Sequence, residues 1–125
     1  MKLALLAMML IPGTVFAETL TLAGHYFVMF ETSSFSPCHA RESWWLESKD
    51  KSVGDELMAR YNKACVPKNG EFCLGVFLKV TGQRSELGNY GHMGSYKRKF
   101  VVEEIQVVEQ RLDPEKQCVE ASNTR

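Results

Sequence analysis

Apolar and aromatic residues along the chain are grouped in four long segments that turn-forming residues separate. They span residues 20–30, 38–48, 72–82 and 96–109. Each segment is predicted to form a β-strand. Gly24 predicts a bend or bulge in the first strand, and the adjacent Trp44 and Trp45 predict that one indole faces inward and the other outward. In the last strand the apolar positions change parity, which predicts a bulge or a strand switch near Glu103 or Glu104.

One stretch between the second and third strands has helical spacing instead. Four residues lie on one face at this spacing: Leu57, Met58, Tyr61 and Ala64. The spacing predicts a helix over residues 55–64, after a polar connection over residues 48–54. The predicted order is therefore strand, strand, helix, strand, strand.

The remaining segments are predicted to be connections. Residues 31–37 are rich in Ser and Thr and predict a turn, and residues 83–95 predict a long glycine-containing turn region. Residues 112–118 are predicted to form a return loop after the last strand. Residues 119–125 are expected to form a frayed tail. The predicted fold is mainly β: one small, disulfide-stapled antiparallel OB-like barrel over residues 18–125, with a single helix between the second and third long strands.

The first seventeen residues have the pattern of a secretory signal peptide. Lys2 precedes an apolar run, and the Val15-Phe16-Ala17 sequence predicts cleavage before Glu18. The apolar run is shorter than the roughly 20 residues that a membrane-spanning helix needs. We therefore expect a periplasmic or secreted protein without a membrane span.

Composition supports export and disfavours nucleic acid as a partner. Fifteen Lys and Arg balance fifteen Asp and Glu, so the chain has no excess of positive charge. Four cysteines follow the predicted leader: Cys38, Cys65, Cys73 and Cys118. An even number in a small exported chain predicts two disulfides, with three possible pairings. A zinc site is the alternative, but no CxxC pair is present.

No catalytic or cofactor-binding motif occurs in the sequence, so we predict no catalytic residue, no cofactor and no metal. Two alternatives remain. A copper-handling protein would use soft ligands drawn from His25, Met29, Cys38, His39, His92 and Met93. A small periplasmic hydrolase would instead require a polar pocket around His92 with an acidic partner.

The most distinctive stretch, residues 88–100, combines three glycines, three aromatic residues and three consecutive cations. We interpret it as a loop that binds an envelope or extracellular partner, either a protein or a glycan. The candidate binding residues are Tyr90, His92, Tyr96 and Arg98. The alternative is an ordinary turn beside a solvated strand face, in which Arg98 pairs with a neighbouring glutamate.

Several short motifs resemble the C-terminal OB-like domain of the NlpE-type envelope lipoproteins. They are the glycine-aromatic strand from Gly24, the FxxC motif of Phe35 and Cys38, and the VxG motif of Val80 and Gly82. Residues 90–105 also resemble a segment of small exported proteins of Gram-negative bacteria.

The resemblance to the lipoproteins implies a pairing of the cysteines. In that family the FxxC cysteine joins a cysteine near the end of the chain, which implies a Cys38–Cys118 bond and leaves Cys65 to pair with Cys73. The chain lacks the lipidated cysteine and the N-terminal barrel of these lipoproteins. Their surface-sensing and copper functions are therefore not expected here.

Overall fold

The computed structural model describes residues 18–123, which contain five β-strands, two α-helices and one 3₁₀ turn. In chain order these are β1 (Glu18–Met29), β2 (Thr32–Pro37), β3 (Trp44–Ser48), α1 (Lys51–Ala64), β4 (Val76–Arg84), the 3₁₀ turn (His92–Gly94), β5 (Lys99–Gln110) and α2 (Pro114–Asn123). The predicted signal peptide and the last two residues of the predicted tail lie outside the described residues.

The five strands form one sheet that closes into a ring in the order β1-β2-β3-β5-β4. Neighbouring strands are antiparallel except β3 and β5, which run parallel with Trp45 opposite Lys99. In β5 the register shifts where Val102 and Glu104 pair with consecutive residues of β4. This shift confirms the predicted irregularity near Glu103. The five strands confirm that the fold is mainly β.

The core fills the inside of the ring. Its buried residues are Tyr26, Phe35, Trp44, Leu46, Leu57, Tyr61, Val76, Leu78, Val80, Phe100 and Val102. Phe100 packs against Phe35 and Trp44, with ring centroids 6.0 and 6.5 Å apart. Trp44 faces inward and Trp45 does not, as predicted from their adjacency. The predicted helix face is also confirmed, because α1 buries Leu57 and Tyr61.

The prediction of a turn over residues 31–37 is wrong, because most of this segment forms β2. Its polar composition conceals an alternating pattern in which Ser33 and Phe35 face inward. The Ser33 hydroxyl is satisfied there: it donates to the Leu46 carbonyl at 2.7 Å and lies 3.0 Å from the Tyr26 hydroxyl. A buried hydroxyl with two partners costs little free energy, so the segment pairs as a strand. The second predicted strand is correspondingly shorter, starting at Trp44.

Helix α1 begins four residues earlier than predicted. The side chain of Asp50 accepts a hydrogen bond from the Val53 amide at 2.9 Å and so caps the first turn. Gly54 lies within this first turn and has a low intrinsic helix propensity. The cap and the tertiary packing outweigh that propensity.

The single predicted helix is a further error, because α2 occupies most of the predicted frayed tail. Asp113 caps this helix by accepting hydrogen bonds from the amides of Glu115 and Lys116. Pro114 stands at the first helical position, where its missing amide hydrogen costs nothing. The buried Gln117 then fixes the helix against the sheet.

Both disulfides agree with the pairing that the resemblance implied. Cys38 bonds Cys118 and Cys65 bonds Cys73, with Cα–Cα distances of 5.5 and 5.4 Å. No free cysteine occurs in residues 18–123. The two bonds are consistent with an oxidising, exported environment. Across the same residues, no helix has the length and apolar character required to cross a membrane.

The smaller disulfide also explains why the third predicted strand begins late. Cys73 is tied to Cys65 beyond the end of α1, and Gly75 has a φ of +109°, which β-strands do not use. Phe72 and Leu74 are therefore held outside the sheet and are 89% and 67% exposed. The strand starts only at Val76.

We expect the Cys38–Cys118 bond to stabilise the protein more than the Cys65–Cys73 bond, because it closes a sequence separation of 80 residues rather than 8. Loop-closure entropy gives about 4.5 kcal/mol for the longer loop and about 2.5 kcal/mol for the shorter one. Thermal melts of the two double-serine variants test this order. Equal melting temperatures, or a larger loss without Cys65–Cys73, would contradict it.

Candidate functional site

The β4–β5 loop, residues 85–98, contains all four predicted binding residues. Tyr90 and Tyr96 form an antiparallel bridge, with backbone hydrogen bonds of 2.8 and 3.1 Å. This bridge encloses a tip of five residues, in which Gly91, Met93 and Gly94 have φ values of +71°, +56° and +63°. The loop is thus a closed turn with a defined backbone conformation.

The outward-facing Trp45 supports the base of this loop. The Tyr96 ring meets the indole edge-on, with ring centroids 5.5 Å apart. The backbone at Gly91 lies so close to the indole that a Cβ atom there would overlap the ring. Only glycine fits at this position, since it combines a positive φ with no side chain.

Two more predicted binding residues also stabilise the loop from within. The Tyr90 hydroxyl donates to the Glu86 carbonyl at 2.9 Å, and the Lys99 ammonium lies 5.7 Å from the Tyr90 ring centroid. The Arg98 guanidinium donates to the Ser85 carbonyl at 2.8 Å. Tyr90, Tyr96 and Arg98 therefore make contacts within the protein.

The ordinary-turn alternative pairs Arg98 with a neighbouring glutamate, but its guanidinium donates to the Ser85 carbonyl instead. The neighbouring Lys99 makes that kind of contact instead, at 3.6 Å from Glu47. The strand register explains the difference, because Trp45 pairs with Lys99 and places Glu47 on the same outer face of the sheet.

His92 and Met93 are both exposed at the tip. The His92 Nε2 atom lies 3.4 Å from a Glu31 carboxylate oxygen, and both side chains are about half exposed. Glu31 belongs to the β1–β2 turn, so the contact joins that turn to the loop. Phe30 and Met93 stand beside this contact in sequence and are 87% and 89% exposed.

Phe30 and Glu31 were not identified from the sequence. Phe30 continues an apolar run and was assigned to a strand, although it lies in the turn that follows β1. An aromatic residue next to a predicted turn is the only local signal for it. The pairing of Glu31 with His92 depends on the closed sheet and has no sequence signal.

The residues considered for a soft metal site are divided among separate places. His25, Cys38 and His39 line a groove of about 510 Å³ beside α2, whereas Met29 lies at the end of β1 and His92 in the loop. Cys38 is oxidised to a disulfide. Within residues 18–123 no group of three or more His, Cys, Asp or Glu side chains is arranged to hold a metal ion.

His25 has a perturbed environment in this groove. Burial lowers its pKa, a contact of 3.4 Å with the Gln117 side-chain oxygen opposes the shift, and the positive Arg111 adds to the lowering. The imidazole is therefore held neutral in the folded protein at neutral pH. Its role there is to support the position of Gln117.

The chain was compared with protein-family models, curated proteins and solved structures, and none of these matches it.

We expect Gly91→Ala to destabilise the protein more than Gly70→Ala. Both glycines have a positive φ, at +71° and +77°, but a Cβ at Gly70 meets nothing within 4 Å. Gly70→Ala therefore measures backbone strain alone, about 1 kcal/mol, and Gly91→Ala adds the overlap with Trp45 for a total of about 2–3 kcal/mol. Urea unfolding of the two variants provides the comparison. Equal losses would show that Trp45 does not support the loop.

We expect the stability of the protein to fall as the pH drops below about 6.5, because the unfolded chain then binds a proton at His25 that the folded chain does not. Above the pKa that His25 has in the unfolded chain, the contribution of this residue to the free energy of unfolding is fully present. His25→Gln removes the titration while keeping a side-chain amide near Gln117. Urea midpoints between about pH 7.5 and pH 5.5 should therefore change less in the variant. An identical pH dependence in both proteins would refute this assignment.

Proposed function

We propose that this chain is an exported, non-catalytic binding module with an OB-like barrel, and that it recognises a protein partner through the tip of the β4–β5 loop. The closed order of the five strands and the position of α1 between β3 and β4 support the OB-like assignment. OB-folds bind their ligands with the face of strands 2 and 3 and with the loops that follow strands 1 and 4. The contact between Glu31 and His92 joins those two loops here.

The proposal depends mainly on one observation: the loop has a fixed shape, but an apolar side chain at its tip, Met93, is almost fully exposed. Tyr90, Tyr96 and Trp45 hold the backbone through ring and hydrogen-bond contacts, and Met93 at the tip is 89% exposed. A loop that is ordered before binding loses little conformational entropy on association. Exposing an apolar side chain on such a loop has no structural benefit, which favours a recognition role.

The groups at the tip favour a protein over a glycan. Sugar recognition commonly uses aromatic faces, but the Tyr96 ring is packed on Trp45 and Tyr90 is packed within the loop. The tip and the adjoining turn offer a thioether and a phenyl ring, from Met93 and Phe30. Such flexible or flat apolar groups fit irregular protein surfaces. Lys99 and Arg98 are engaged within the protein, which also disfavours a nucleic acid.

A hydrolase is the second candidate, and the proximity of His92 to Glu31 is the observation that favours it. A carboxylate beside an imidazole is one part of an acid–base pair. Both side chains are about half exposed, however. A pair this open to solvent differs from the closed active sites that exclude water during proton transfer.

Site-specific photo-crosslinking in the native cells tests the proposed recognition surface. A photoreactive amino acid at Met93 should form an adduct with one protein, and excess unlabelled chain should suppress the adduct. The matched control is Val119, which is also more than half exposed but lies on α2. Protease treatment of the adduct separates a protein partner from a glycan. A protease-resistant adduct, or the same adduct from both positions, would contradict the proposal.

The double variant His92→Ala, Met93→Ala should lose this partner without a change in melting temperature, because both side chains are exposed. Tyr96→Ala should lower both binding and melting temperature, since it removes a contact with Trp45. Quantitative capture of the crosslinked partner by each purified variant measures the binding loss. Wild-type capture by the double variant would refute recognition through the tip.

A further inference from the structure

A second apolar surface surrounds the Cys65–Cys73 bond. Its members are large apolar side chains that are each more than half exposed. They are Met29, Val66, Phe72, Leu74 and Leu112, and we refer to them as the disulfide-loop patch. Phe72 is the most exposed of them, at 89%.

The patch is continuous because two grooves share part of their lining. One groove of about 390 Å³ is lined by Val66, Leu112 and the shared pair Phe72 and Leu74. The second, of about 410 Å³, is lined by the same pair together with Met29. The surface therefore extends from the segment after β5 across to the end of β1.

The backbone under the patch is fixed. Cys73 lies between Phe72 and Leu74 and is bonded to Cys65, which follows the last residue of α1. The Arg111 guanidinium donates to the Leu74 carbonyl at 3.1 Å. The apolar side chains are thus presented on a constrained segment instead of being free to collapse onto the core.

The size of the patch matches one half of a stable protein interface. Five side chains exposed to this extent offer about 600 Å² of apolar surface, since a large side chain exposes roughly 150–200 Å². The largest apolar patch on a typical monomeric protein is about 300–600 Å² and is often functional, so this patch lies at the upper end of that range. A standard interface buries about 800 Å² per partner, of which about 60% is apolar.

The charges that line the patch favour self-association. Lys68 and Glu71 line the same groove, together with Arg111, which is engaged with the Leu74 carbonyl. In a two-fold symmetric pair each surface meets a copy of itself, so Glu71 of one copy can face Lys68 of the other, twice.

We propose that a second copy of this chain covers the disulfide-loop patch, forming a two-fold symmetric dimer in which Phe72 is the central apolar anchor. The proposal goes beyond the binding function assigned to the β4–β5 loop and does not depend on it.

Sedimentation equilibrium and light scattering of the mature, oxidised protein across a concentration series test the dimer. We expect twice the monomer mass for the wild type, and a dimer weakened at least about thirtyfold by Phe72→Glu. Met93→Glu is the matched control, because Met93 and Phe72 are both 89% exposed. It should leave the dimer unchanged.

A charge exchange identifies the contact within the dimer. Lys68→Glu and Glu71→Lys should each weaken self-association, by about tenfold. An equimolar mixture of the two variants should restore the dimer, since opposite charges then meet at both symmetric positions. Melting temperatures that match the wild type at concentrations where all the proteins are monomeric confirm that these exposed substitutions do not act through the fold.

Three results would overturn the proposal. The first is a wild-type chain that stays monomeric up to about 1 mM, because an interface of this size gives tighter binding. The second is an equal loss of dimer in Phe72→Glu and Met93→Glu. The third is a monomer that sediments with vesicles of neutral or anionic lipid in a Phe72-dependent manner, which would assign the patch to a membrane surface.

Discussion

The architecture depends on a short part of β1 that pairs with two strands at once. Gly24, His25 and Tyr26 pair with β2 on one side and with β4 on the other, which closes the sheet. Gly24 makes this closure possible, because a Cβ atom there would overlap the Ser36 carbonyl oxygen of β2. Closure also brings β3 beside β5, so that Trp45 lies next to the start of β5 and under the β4–β5 loop. The shape of the loop is therefore a consequence of the closed ring.

The two disulfides act on different parts of this ring. The Cys38–Cys118 bond joins the end of β2 to α2, a helix that packs on the outside of the sheet against β1. The buried Gln117 reinforces that attachment by accepting a hydrogen bond from the Leu112 amide and donating one to the Gln110 carbonyl. The Cys65–Cys73 bond has the opposite effect on packing, because it keeps an apolar segment out of the core. The Cys38–Cys118 bond thus attaches α2 to the sheet. The Cys65–Cys73 bond instead keeps apolar side chains exposed.

The sequence predicted elements whose apolar residues follow a simple period and failed where polar groups or backbone geometry decide the structure. The face of α1 and the opposite orientations of the two tryptophans follow directly from spacing. The pattern does not indicate strand β2 because Ser33 is buried through its hydrogen bonds. It does not indicate α2 because residues 112–125 are predicted to be a returning segment and a tail, whereas Asp113 and Pro114 begin a helix. The candidate loop was located correctly from its glycines and aromatic residues. The inward role of those rings was not predictable, because it depends on Trp45, which is about 45 residues distant in sequence.

The composition of the loop separates the groups that give it shape from the groups available for binding. Tyrosine rings and glycine backbones require specific neighbours, since an edge-on ring contact and a positive φ are both geometrically demanding. Those residues face Trp45 and the rest of the loop. The Met93 backbone also has a positive φ, at +56°, but its unbranched thioether side chain needs no specific ring neighbour, because it adapts to many surfaces. Met93 is therefore exposed at the tip, while Tyr90 and Tyr96 keep the backbone conformation constant.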